Sequence, residues 1–200
     1  LATYEINLSD LFIAFNQKSA DASKKSYFAI GDTFVSGASN RLSRMSYSLA
    51  KLHSNIPIAY VSTNLYTANF GIINSYITDY QIAKNEKDVI KNILGKLPHK
   101  ILYKAYPEEN KRYADKNPIL DEANKYENIE LFEDVVDMRY FIWKYKVFIT
   151  SRATSTLSWL VFSGKPIIFI NWSNDNSLKR EAYDIFDKAI FVFNSNDKDF

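Results

Sequence analysis

Two hundred residues are enough for one large domain with a proper core, or for two small ones sharing an interface. A composition 46% hydrophobic and 24% charged is that of a globular chain, and 25 basic residues interspersed with 23 acidic ones set up no field to hold a polyanion, so nucleic acid is not an expected partner. The lack of cysteine rules out disulfides, thiolate nucleophiles and Cys-ligated zinc, and with His53 and His99 as the only imidazoles no metal site is expected.

Residues 1–8 lack the basic start and long apolar stretch of a secretory signal. Leu1 in place of an initiator Met, and the polar ending at Asp199-Phe200, are read as cuts through a longer polypeptide. Residues 1–55 are expected to be a linker or part of a preceding domain. In that segment, short apolar pieces at 11–15 and 27–34 flank a polar loop at 16–25, and 41–52 reads as a helix. A second region, 56–200, opens on an apolar run that is β-rich at Ile58, Tyr60 and Val61.

From Tyr80 the pattern becomes regular. Ile82, Val89, Ile90, Ile93, Leu94 and Leu97 share one helical face, with Glu86 as a polar interruption and Gly95 and Pro98 as the close. A strand at 100–106 ends at Pro107, and a polar excursion leads to a short helix at 119–126 and a strand at 129–132. There follow a largely buried helix at 135–145, a strand at 146–150, a helix at 154–162, a strand at 166–171, a helix at 177–189 and a strand at 190–193. This alternation predicts an α/β fold, a Rossmann-like doubly wound parallel sheet. Ligands of such sheets sit outside the carboxyl ends of the strands where strand order switches, which directs attention to the residues after Tyr106, Thr150 and Asn171. No run reaches the roughly 20 apolar residues that cross a bilayer; residues 161–170 are broken by Ser163, Gly164, Lys165 and Pro166.

The chemistry concentrates where the strand Val147-Phe148-Ile149-Thr150 runs into the turn Ser151-Arg152-Ala153-Thr154-Ser155-Thr156. The turn opens a helix whose Ala153, Leu157, Leu160 and Val161 are expected to face the sheet. A helix start offers unsatisfied N–H donors and the positive end of the macrodipole, and nearby hydroxyls complete a shell for phosphate. Plain capping by Ser151 or Thr154 explains one hydroxyl, but there are four between Ser151 and Thr156, so on this segment the two readings weigh evenly. Arg152 is placed to add a charge-assisted bond. Gly164-Lys165-Pro166 reads as structural, with Gly closing the helix and Pro starting the next strand. Among the acids near strand ends, Glu108, Glu109, Glu133, Asp134 and Asp175, spacing singles out no acid/base pair.

The succession of buried helix, apolar strand, Ser/Thr cluster, amphipathic helix, Gly-Lys-Pro and second apolar strand is similar to the nucleotide-sugar-binding motif in the C-terminal domain of GT-B glycosyltransferases. It most resembles bacterial surface-polysaccharide transferases of the capsule and lipopolysaccharide type, including those that use cytidine-monophosphate sugars such as Kdo or sialic acid. The likeness spans residues 56–200 and is specific between Lys100 and Asn171. It implies a nucleotide-sugar donor, a glycan acceptor, no further cofactor, completion of the enzyme by the remainder of the polypeptide, and a place in the cytoplasm or at the inner face of the membrane. It assigns nucleotide and phosphate contact to Lys104, Tyr106 and Pro107, and to Ser151, Arg152, Thr154, Ser155 and Thr156; the catalytic base stays unassigned. The chain departs from the family in two places. Tyr106 stands where the family has His before Pro, so a phenol replaces an imidazole. Ser158 stands where many GT-B enzymes hold the ribose with Glu, which favours a cytidine-monophosphate donor over a uridine-diphosphate one. The alternatives are a polyol-phosphate transferase or a nucleotide-sugar epimerase of related fold, and a nucleotide-binding module without turnover.

Overall fold

A computed structural model describes residues 9–25, 31–37, 56–63, 65, 77–106, 117–175 and 177–197. The chain divides into two compact units, Leu1–Ser48 and Leu49–Phe200. The helix expected at 41–52 lies outside the described residues.

In the first unit, β1 (Leu11–Ala14), α1 (Gln17–Lys24) and β2 (Asp32–Val35) form a β-α-β succession with the two strands parallel. The expected polar loop at 16–25 is thus a helix. Asn16 caps it, accepting from Ser19 N at 2.8 Å. The helix buries small residues, Ala20 and Ser23, and Ser23 Oγ lies 3.0 Å from Thr33 Oγ1 on β2. Such a contact face carries no stripe of large apolar side chains, so hydrophobic periodicity had nothing to register. The other face of the strand pair bears Leu11, Ile13 and Phe34, all exposed, with Ile13 in register with Phe34.

The second unit is a six-stranded sheet of β3 (Ile58–Val61), β4 (Ile101–Lys104), β5 (Ile129–Phe132), β6 (Val147–Thr150), β7 (Ile167–Asn171) and β8 (Phe191–Asn194). Every pairing is parallel, and the order is β5-β4-β3-β6-β7-β8. The chain winds outward from β3 to β5, then returns to the other side of β3 and winds out to β8. This is the doubly wound arrangement, with its switch between β3 and β6.

Side-chain alternation divides the core between the two faces. Tyr60, Ile101, Tyr103 and Ile149 pack on one face with Ile82, Val89 and Ile90 of α2 (Asp79–Asn92) and Ile119 and Ala123 of α3 (Pro118–Ala123). On the other face, Ala59, Leu102, Phe148 and Phe169 pack with Leu157 and Leu160 of α4 (Ser155–Phe162) and Phe186 of α5 (Arg180–Ala189). Strands covered on both sides are what a parallel sheet needs. Of the residues expected to face the sheet from the helix after β6, Leu157 and Leu160 are buried. Ala153 lies ahead of the helix and is exposed, as is Val161. Gly164 follows the C-cap Ser163 at φ +66°, the left-handed position where a helix commonly ends in glycine.

The long buried helix expected at 135–145 is instead two single 3₁₀ turns, Met138–Tyr140 and Ile142–Lys144. Met138, Phe141 and Tyr145 are buried at spacings that mimic a helical stripe. Asp137 opens the first turn by accepting from Arg139 N at 3.0 Å. The carbonyls of the second are taken by Lys165 Nζ, which donates to Ile142 O at 2.9 Å, Trp143 O at 3.0 Å and Tyr145 O. A side chain that occupies these acceptors leaves no i to i+4 ladder for a helix to propagate.

Candidate functional site

A cleft of about 300 Å³ opens at the carboxyl ends of the strands beside the switch in strand order. Val61 and Ser62 come to it from the end of β3, Lys104, Ala105 and Tyr106 from the end of β4, and Ser155 and Thr156 from the start of α4. The segment after β5 supplies the remaining wall through Val135, Val136, Asp137 and Met138.

Lys104 is the cation of this cleft. It is almost fully buried, and its Nζ donates to Asp134 O at 2.8 Å and Ala105 O at 3.0 Å. Burial lowers its pKa, an effect opposed by the nearby charges of Asp134 and Asp137. Two carbonyls take two of its three N–H groups, and the Phe132 ring lies 5.0 Å from Nζ, so the third has no oxygen acceptor among the described residues. Thr154, which does not line the cleft, occupies the N-cap position of α4 but makes no side-chain cap bond. The N–H and hydroxyl groups of Ser155 and Thr156 have no acceptor among the described residues. A largely buried ammonium and an uncapped helix start thus share one concavity, a combination suited to an anion. Tyr106 lines the same cleft and is exposed. Pro107 lies outside the described residues.

Ser151 and Arg152 do not line the cleft. Ser151 is buried and its Oγ donates to Glu86 Oε1 at 3.1 Å. The Arg152 guanidinium is paired with Asp175, Nη2 to Oδ2 2.5 Å, with both side chains largely shielded from solvent. That pair ties the turn after β6 to the loop after β7; among the described residues neither Nε nor Nη2 of Arg152 makes an aligned hydrogen bond, so the contact is an ion pair. Among the other sequence candidates, Glu133 and Asp134 are exposed, His99 is exposed, and Glu108, Glu109 and His53 lie outside the described residues. Among the described residues no cluster of His, Asp or Glu is arranged to hold a metal ion, and no helix is long and apolar enough to cross a membrane.

Directly behind the cleft lies a buried polar cluster that sequence reading passed over. Glu86 projects from α2 between the strand ends and is 1% exposed. Its Oε1 accepts from Tyr60 at 2.6 Å and Ser151 at 3.1 Å; its Oε2 accepts from Tyr103 at 2.7 Å and Ser62 at 3.1 Å. Four donors around one carboxylate satisfy its lone pairs. Burial nonetheless raises its pKa above the ordinary carboxylate value, with the four hydroxyls pulling the other way. The Tyr60 and Tyr103 rings stack at 5.2 Å, and both phenols are pushed well above 10 by burial first and by the Glu86 charge second. The signal was present in the sequence as the one carboxylate inside the apolar stripe of α2.

No protein-family model matches the chain, and no curated protein matches it in sequence. Among solved structures the chain is similar to the spinosyn forosaminyltransferase SpnP, with a TM-score of 0.47 and 9% identity over 96% of this chain and 43% of that one. It is also similar to a chain of the GtfA/B complex, with a TM-score of 0.44 and 14% identity over 94% of this chain and 35% of that one. The chain spans less than half the length of either.

Proposed function

We propose that this chain is the donor-binding part of a glycosyltransferase and holds a nucleotide sugar in the cleft beside the strand-order switch. The observation that carries this reading is the pairing of Lys104 with the uncapped start of α4 at Ser155 and Thr156. A donor phosphate seated there meets a fixed cation and preorganised N–H and O–H donors. These groups stabilise the charge that grows on the departing nucleotide as the glycosidic bond breaks. The motif likeness across residues 100–171 supports the same assignment and the finer one of a surface-glycan acceptor.

The donor proposed is a cytidine-monophosphate sugar. Ser158, which replaces the ribose-holding carboxylate, is exposed and does not line the cleft, so α4 brings no carboxylate to a uridine-diphosphate ribose. Calorimetry with cytidine monophosphate and uridine diphosphate at equal ionic strength tests this. Cytidine monophosphate is expected to bind tighter, and Lys104→Met to weaken it about tenfold or more, a difference of about 1.4 kcal/mol. Tenfold tighter binding of uridine diphosphate replaces the donor assignment, and failure of every nucleotide to bind removes the functional reading.

A further inference from the structure

We infer that Ser62 presents an obligate hydrogen-bond acceptor to the cleft, fixed in that state by the buried Glu86, and that it accepts a hydrogen bond from a ribose hydroxyl of the bound nucleotide. This rests on the nucleotide reading above and adds the group that reads the ribose.

Ser62 Oγ has one proton and two lone pairs. It lies 3.1 Å from Glu86 Oε2, the strongest acceptor in its reach, with only a marginal alternative at Thr63 O, 3.5 Å away. Tyr103 O–H is shared between the same oxygen, at 2.9 Å, and Glu86 Oε2, at 2.7 Å, so the phenol engages at most one of the two Ser62 lone pairs. With its proton directed into the core, Ser62 has acceptor capacity alone to offer a ligand. Its backbone is fixed as well, since Ser62 N donates to Lys104 O at 3.0 Å and continues the ladder between β3 and β4. The hydroxyls of Ser155 and Thr156 differ in kind: no partner among the described residues fixes their protons, which leaves them able to donate to phosphate. One cleft therefore holds groups that donate and one that accepts, the polarity needed for a ligand with an anionic group beside an alcohol. Asp137, the carboxylate of the opposite wall, is engaged by Arg139 N at 3.0 Å and by the Arg139 side chain. Glu86 touches no ligand on this account; it is a positioning residue that acts through Ser62.

The test compares cytidine monophosphate with its 2′-deoxy and 3′-deoxy forms by calorimetry on the full chain. The wild type is expected to prefer the ribonucleotide over one of the two by roughly tenfold. Ser62→Ala should bring the three to within about twofold, and Glu86→Gln should shrink the same ratio by weakening the hold on the Ser62 proton. Adding Glu86→Gln to Ser62→Ala should change the ratio no further, since the two act as a unit. A merely structural role for Glu86 would lower stability without moving the ratio. Equal binding of all three nucleotides to the wild type, or a preference that survives Ser62→Ala, overturns the inference while leaving the nucleotide site standing. Absence of nucleotide binding overturns both. If Glu86→Gln does not fold, Ser62→Ala alone decides.

Discussion

Ser151 Oγ donates to Glu86 Oε1 across 3.1 Å, so the first hydroxyl of the turn after β6 belongs to the core beneath the site. Ser155, in the same turn and helix start, lines the cleft. Two serines that look alike in sequence therefore stand in different settings, one in the core and one at the cleft.

Ser151→Ala is expected to cost about 1 kcal/mol of stability, the scale of one buried hydrogen bond, with nucleotide affinity nearly unchanged. Ser155→Asp is expected to do the reverse: a carboxylate is tolerated at a helix start yet competes with phosphate. Urea unfolding and calorimetry on both variants check this. A Ser155→Asp protein with undiminished affinity would remove the phosphate from this helix.

The pH dependence of stability follows from the raised pKa of Glu86. The native state holds this proton more tightly than the unfolded chain does, so the stability it contributes is full below the ordinary value of 4.5. It is lost as pH rises through the higher native value, at about 1.4 kcal/mol for each unit of difference. Tyr60 and Tyr103 stay protonated throughout this range. Urea midpoints measured from about pH 4 to about pH 8 should decline for the wild type relative to Glu86→Gln. Parallel curves for the two proteins would contradict the assignment.

Arg152→Ala is expected to lower stability by about 3 kcal/mol, because it leaves the Asp175 carboxylate in a shielded setting without its cation. Its effect on nucleotide affinity should be smaller than that of Lys104→Met. A variant of normal stability and lost affinity would transfer Arg152 from the scaffold to the binding site.

Most of the sheet could be read from sequence because its strands are short apolar runs separated by helices with large buried residues, as in α2 and α4. The turn after β6 was legible as a cluster of hydroxyls at a helix start, yet the direction of Ser151 was not, since that depends on Glu86, 65 positions away. Glu86 itself appeared as an interruption of a stripe. A carboxylate on a buried face is tolerable only with donors around it, and those donors come from β3, β4 and the turn after β6, which no local pattern connects. Residues 135–145 misled for a different reason: Met138, Phe141 and Tyr145 keep a helical spacing, while Asp137 and Lys165 consume the groups that would extend a helix.

Lys165 also bears on how long a ligand would stay in the cleft. Its ammonium latches the carbonyls of Ile142, Trp143 and Tyr145, and the chain just before these residues, Val135 to Met138, is one wall of the cleft. Loosening the latch, as by acetylation of this lysine or by Lys165→Met, would remove a charge outside the cleft lining and is expected to let the wall open more often. The consequence falls on residence time: the nucleotide would leave sooner while its encounter rate stayed the same.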